Sequence, residues 1–448
     1  MRLPDLREAW AMARGRGDPD SARARTARLM LAVAAGQAIS LAVSPLLTRL
    51  FPPAAWGIFG VYLAALGSLS TAASWRLGIA VALPESDDEA VAVVGAGLFA
   101  SLVSSLLAVA VLVVAGRWIA GEVLRAPAAY ATLWLVPLGM FGAGAADVLS
   151  GWCLRHRSFD ALVRLRVSRS VGIAAGQVVT AILARASAVG LALGDAAGRV
   201  YSAVEMGVVV RRAERARGGR FTWAATKAAL WRYREFPFVS APSTMINAIG
   251  LWAPVFLLTY WWGPVASGLF VVGQRVIGVP IGLLGDSAGQ VYISELAARA
   301  RTARETMPAL FAKTARALLL VGLVPMLAMA TLSPVVFRLV FGAEWTDAGV
   351  MVQWQSLALL AQLVAIPLAH TLLVLQHQRR QLAWDIARFA LTVGGFWWAH
   401  RAGMDAIEAV AVYSAVTALT YGLLIVLSWH AVGERAGVAR GDSPPAAG

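Results

Sequence analysis

Four arginines lie within apolar stretches of this 448-residue chain: Arg76, Arg199, Arg275 and Arg388. A guanidinium at bilayer depth costs at least about 2.5–3.5 kcal/mol on insertion scales, so it faces other helices or a wet cavity. Its planar donors grip a carboxylate or a phosphate at two points. Asp195 precedes Arg199 by four residues and Asp385 precedes Arg388 by three, so each acid shares a helix face with its arginine. Two readings stand for these pairs. Either they are local ion pairs that neutralise the cost of burial, or they line a polar cavity where the arginine exchanges its acid for an anionic ligand. Glu205 is a further acid within a span. Asp147 and Asp286 have no basic neighbour one turn away. Each is a proton- or sodium-sensitive carboxylate, or else hydrogen-bonds a neighbouring helix while neutral. Gln274 adjoins Arg275. Gly278 and Pro280 follow it as a hinge candidate, with a static kink as the plainer alternative.

The elements that carry these residues are membrane spans. Hydrophobic residues make up 59% of the chain and mean hydropathy is +0.67, above the ~45–50% apolar content of soluble domains. About twelve stretches reach the roughly 20 residues needed to cross a bilayer: 29–48, 56–80, 91–115, 131–152, 167–185, 187–210, 239–260, 265–294, 314–335, 351–375, 382–399 and 406–429. They are long and continuous, as helices require, not the short alternating segments of a barrel. Arg185-Ala186-Ser187 and Trp261-Trp262-Gly263-Pro264 mark the turns of two nearly fused pairs. Arg199 lies about midway along its span. Arg275 is roughly 15 Å into its span and Arg388 roughly 12 Å, at 1.5 Å per residue. Arg76 lies near a span end and can snorkel to the boundary.

Of the 39 lysines and arginines, only Arg49, Arg117, Arg125, Arg185, Arg338 and Arg401 fall on one set of alternate connections, and 29 fall on the other. Positive loops stay in the cytoplasm, so both termini are expected inside. The net charge of +14 is then a topology signal with affinity for anionic headgroups, and needs no nucleic-acid partner. The chain divides into a basic segment (1–28), an N-lobe of six spans (29–210), a basic loop (211–236), a C-lobe of six spans (237–430) and a tail (431–448). Thr48, Pro53, Gly57 and Phe59 recur in type as Thr259, Pro264, Gly268 and Phe270, every offset being 211. Repeated halves of equal orientation are a common transporter plan.

Several chemistries lack their residues. Lys227 and Lys313 are the only lysines and neither follows a glycine-rich phosphate loop. No His/Cys cluster has metal spacing, so neither a metal nor an organic cofactor is expected, and proton or sodium coupling stays open. Asp87-Asp88-Glu89 reads as helix-start acid, and Asp18-Pro19-Asp20 as part of a polar tail. The basic start outruns a cleaved signal peptide. Cys153 is the single cysteine, so no intrachain disulfide is expected. No large loop offers a catalytic domain, and the chain is read as a non-enzyme.

The stretch Gly268-Leu-Phe-Val-Val-Gly-Gln-Arg-Val-Ile-Gly-Val-Pro280 is similar to the G-x-F-x4-R-x4-P signature of bacterial oligosaccharide flippases of the polysaccharide biosynthesis family, in the MOP superfamily. Ser44–Phe51 with Trp56-Gly57-Ile-Phe59, Ala82-Leu-Pro84 with Glu89-Ala90, Arg155-His-Arg157-Ser-Phe159, Phe341–Gly349 and Pro367 resemble further family segments in order along nearly the whole chain. One departure stands out: the family often has Arg-aromatic-Glu at the end of span 2, where this chain has Arg76-Leu77-Gly78. The resemblance implies an all-α polytopic protein, with two six-helix lobes around a central cavity. It implies alternating access that moves an undecaprenyl-diphosphate-linked oligosaccharide from the inner to the outer leaflet, for lipopolysaccharide or exopolysaccharide. Arg199, Arg275, Arg388, Arg76 and Gln274 would then face the cargo. A polysaccharide polymerase and a chain-length regulator are the partners such a role would bring, besides membrane lipid. A drug or small-cation antiporter and a peptidoglycan lipid-precursor flippase of the same superfamily are the alternatives.

Overall fold

The computed structural model describes residues 22–183, 187–217 and 222–437. The segments 1–21 and 438–448, the turn at 184–186 and the loop tip at 218–221 lie outside the described residues, as do the side chains of Pro280 and Asp286. The described residues are helical apart from turns. Twelve long helices run in chain order: α1 (Ala22–Leu50), α2 (Pro53–Ala73), α3 (Asp87–Trp118), α4 (Val136–Arg155), α5 (Phe159–Leu183), α6 (Ala188–Ala216), α7 (241–262), α8 (264–302), α9 (Met307–Val340), α10 (Thr346–Val374), α11 (Gln378–Arg401) and α12 (Ala406–Gly437). Six segments are long and apolar enough to cross a membrane. A seventh joins them when Pro127–Leu133 and Val136–Arg155, bent by 42°, form one span. The helices α1, α5, α6 and α11 fall short of that criterion, and the last three carry Arg166 and Arg169, Asp195 and Arg199, and Asp385 and Arg388.

Local chemistry sets the ends. Ser86 accepts from the Glu89 backbone N–H at 3.2 Å, with Asp87, Asp88 and Glu89 in the first turn of α3, so the acid triplet meets the positive end of the helix dipole. Ser187 caps α6 in the same way, through Gly190 N–H. Gly263, at φ 83°, separates α7 from α8, a left-handed backbone that favours glycine. Beyond α2, Trp75 and Arg76 also take positive φ, 52° and 60°, and a short helix, Leu77–Ala80, follows.

The chain forms two compact units, Met1–Gly268 and Leu269–Gly448. In the first, Leu77, Val93, Val148, Leu149, Trp152 and Met206 share a core. In the second, Tyr292, Leu296, Phe311 and Leu368 form one core, and Leu372, Trp384, Tyr421 and Leu424 another. The units divide at Gly268, one helix beyond the 211–236 loop that sequence offers as the linker. The cause is close packing of α7 and its turn on α2. The Trp252 indole fills the space beside Gly67, Pro264 abuts Gly57, and Gly268 abuts Pro53. A Cβ at Gly57 or Gly268 would run into backbone. The two glycines of the 211-residue repeat therefore lie in one reciprocal contact. On the outside, Leu106, Val113, Val114 and Leu183 are exposed, an apolar belt that lipid tails cover.

Candidate functional site: buried arginines in each unit

In the first unit, Asp195 is 3% exposed and its carboxylate is gripped from two sides. Arg199 donates from Nε to Oδ2 at 2.7 Å and from Nη2 to Oδ1 at 3.2 Å. The Tyr62 hydroxyl, from α2, donates to Oδ2 at 2.9 Å. Gly142 of α4 lies against the backbone at Arg199 and Val200, where a Cβ would not fit. That close approach sets the depth at which the α6 pair sits. From α5, Arg169 comes near enough to both Asp195 and Arg199 for their charges to interact, and Arg166 lies within the same range of Arg169. One buried carboxylate thus stands at the end of a chain of three guanidiniums. The Nε of Arg166 is buried and no described residue accepts from it. Further along that face of α5, at helical spacing, stands Gln177, fully buried with neither amide atom partnered by a described residue.

Asp147 acts elsewhere in this unit. It accepts from the Ser74 hydroxyl at 2.7 Å, and its carboxylate occupies the space that a side chain at Gly78 would need. The acid missing from position 78 is thus matched in space by one from α4. The same break is tied by the Trp75 indole N–H, which donates to Ser104 at 3.0 Å. Arg76 sits at the break in a left-handed conformation, with its Nε buried and unpartnered among the described residues.

In the second unit, Gln274 donates to Gln355 at 2.7 Å, and Gln355 donates to the Met351 carbonyl at 3.0 Å. Gln274 therefore ties α8 to α10. Arg275 beside it is half-buried. Arg388 and Asp385 are 3.7 Å apart, with side chains 14% and 33% exposed. The Arg388 guanidinium lies 5.0 Å over the Trp384 ring, and its Nε has no described acceptor. Trp384 is itself fixed, donating to the Thr420 carbonyl at 2.7 Å. Gly278 is exposed, and a Cβ there would meet nothing, so packing does not require glycine. Asp286 and Pro280 have side chains outside the described residues.

At the basic ends of the helices, charges pair across loops. Arg155 holds Asp87 at 3.0 Å, and Arg380 holds Glu434 at 2.9 Å. Each arginine keeps its partner carboxyl below the usual range. Among the described residues, no group of three or more His, Cys, Asp or Glu stands together as metal ligands would.

The helices in this order make a polytopic all-α fold shared with solved structures of MOP superfamily proteins. The chain superposes on an inward-facing multidrug resistance MATE family transporter of the MOP superfamily with TM-score 0.72 at 12% identity, covering 93% of this chain and 96% of that one. Against the lipid II flippase MurJ in an inward closed conformation the TM-score is 0.70 at 10% identity, covering 92% and 90%. A MOP superfamily transporter from Pyrococcus furiosus gives 0.56 at 14%, covering 95% and 98%. No curated sequence matches the chain. The family profile of polysaccharide biosynthesis proteins matches residues 46–350, more than half of the chain, and the chain belongs to that family. It is a multi-pass membrane protein.

The sequence singled out Arg199 and Asp195 correctly as neighbours but missed the company they keep. Tyr62 is 133 positions from Asp195. Arg166 and Arg169 count, by sequence, with the basic connection before the fifth span and the start of that span (167–185), and both stand within α5. Their spacing of three, which puts them on one face of a continuing helix, is the signal that could have found them.

Proposed function

We propose that the chain is a lipid-linked oligosaccharide flippase. It moves undecaprenyl-diphosphate-linked repeat units from the inner to the outer leaflet of a bacterial inner membrane by alternating access, with both termini cytoplasmic. The observation that carries this reading is the excess of guanidinium over carboxylate around Asp195. Asp195 neutralises Arg199, while Arg169 beside them and Arg166 beside Arg169 keep their charge, and the positive charge left over matches a diphosphate. In a low-dielectric setting such charge-assisted bonds are worth about 1.5–3 kcal/mol each. A cation antiporter would place acids, not arginines, in surplus. Asp147, already bonded to Ser74 at the break after α2, is the first choice for a proton- or sodium-linked carboxylate.

The test is translocation of a fluorescent lipid-linked oligosaccharide in proteoliposomes. Arg166→Ala with Arg169→Ala should slow it roughly tenfold or more. Undiminished translocation at equal protein content would overturn the assignment. Lipid II and a cationic dye, run as parallel cargoes, separate this reading from the MurJ-like and drug-efflux alternatives.

A further inference from the structure

The α5–α6 pair has a second face, opposite the arginine cluster. At 100° per residue, Arg166 and Arg169 of α5, and Asp195 and Arg199 of α6, point one way. Arg164, Ser168, Val171 and Ala175, and Ala197 and Tyr201, point the other, with Glu205 at the flank of that face. Here the structure has a groove of about 550 Å³, lined by Arg164, Val167, Val171, Ala175, Ala197 and Tyr201 among others. Its floor exists because Gly172 and Gly198 bring the two backbones together without side chains. Its length, from Arg164 to Ala175, is about 16 Å at 1.5 Å per residue, roughly half the hydrocarbon thickness and so one leaflet deep.

One end of this apolar slot carries both signs of charge. Arg164 donates to Glu205 Oε1 through Nε alone, at 2.6 Å, with its side chain 62% exposed. Among the described residues nothing accepts from its Nη groups. The Glu205 side chain is 18% exposed, and its second oxygen is buried with no described partner. A carboxylate has about four lone-pair sites, and Arg164 uses one.

We propose that this groove seats an aminophospholipid of the phosphoethanolamine class. The lipid phosphate takes the open face of the Arg164 guanidinium. The ammonium takes Glu205, and one acyl chain lies along Val167, Val171 and Ala175. A lipid with a purely anionic headgroup meets the same arginine but sets its phosphate beside the Glu205 carboxylate. That repulsion selects against it, and equally against a diphosphate cargo. The inference is independent of what the protein transports.

The experiment is native mass spectrometry of the full-length protein released from vesicles of equal phosphatidylethanolamine and phosphatidylglycerol. The wild type should retain phosphatidylethanolamine over phosphatidylglycerol by about fivefold. Glu205→Gln should erase that preference. Val171→Trp, which fills the slot and leaves the ion pair alone, should lose the bound lipid. Equal retention of the two lipids by the wild type, or a preference for phosphatidylglycerol, overturns the proposal. So does a preference that survives Glu205→Gln. If that variant does not fold, Val171→Trp decides: phosphatidylethanolamine retained at wild-type levels overturns the proposal, and its loss supports it.

Discussion

The helices α6 and α11 each carry an acid one turn before an arginine, and the two pairs behave differently. Asp195 and Arg199 form a closed unit: two hydrogen bonds link them, a tyrosine from another helix adds a third, and the acid is almost wholly buried. Asp385 and Arg388 are open: 3.7 Å apart, the acid one-third exposed, the arginine resting on an indole with a donor to spare. Spacing accounts for part of the contrast, since four residues and three residues direct side chains differently along a helix. Most of it comes from neighbours. Tyr62 of α2 supplies the α6 pair with a donor aimed at the acid, whereas α11 supplies its own ring, Trp384, aimed at the base. The spacing of acid and base thus reports that charges are near each other, and the groups packed around them decide whether either charge is free for a ligand.

The contrast can be broken deliberately. Asp195→Asn should cost about 3 kcal/mol, because it strands a buried arginine beside two others; denaturant titration of the purified protein in micelles measures this, and a loss below about 1 kcal/mol would put the α6 pair in the same class as the α11 pair. Arg388→Ala should leave that stability near wild type and lower translocation roughly tenfold, as expected for one charge-assisted bond to an anionic cargo; a large loss of stability with normal transport would reverse the assignment. Asp385→Asn should cost no more than about 1 kcal/mol, as partly exposed ion pairs do, and the same titration reads it. The smallest effect concerns the exposed clasps, Asp87–Arg155 in the first unit and Glu434–Arg380 in the second. Both carboxyls are held below their ordinary values. Their contribution is complete above the ordinary carboxylate range and is lost as pH falls through the lowered folded values. Exposure limits it to a few tenths of a kcal/mol each. Melting curves from neutral pH to about 3 should fall slightly more steeply for the wild type than for Arg155→Gln with Arg380→Gln.

Much of the fold was legible because apolar length and charge asymmetry are properties of the chain itself. The helices lie close to the expected spans, and the turn at Gly263 stands where Trp261-Trp262-Gly263-Pro264 marked it. What escaped depends on contacts between distant segments. Nothing near Ser74 announces that it bonds Asp147, 73 positions away. Nothing near Gly78 shows that a carboxylate from α4 occupies the space beside it. The helices α5, α6 and α11 stand among the twelve stretches read from the sequence, although the polar residues that make them functional candidates keep their hydropathy below that of the other spans. Gly278 was singled out by its neighbours Arg275 and Pro280, yet the structure gives its missing Cβ no steric purpose.

Pro53 meets Gly268 and Pro264 meets Gly57, residue i touching j' while j touches i'. That is the signature of an isologous contact, such as two identical subunits make across a twofold axis. Here one polypeptide supplies both sides. The same small residue is therefore needed twice, once on each side of the contact. Neither glycine can enlarge unless the opposite copy yields room, so these two positions are tied to each other more tightly than to their own neighbours in the chain.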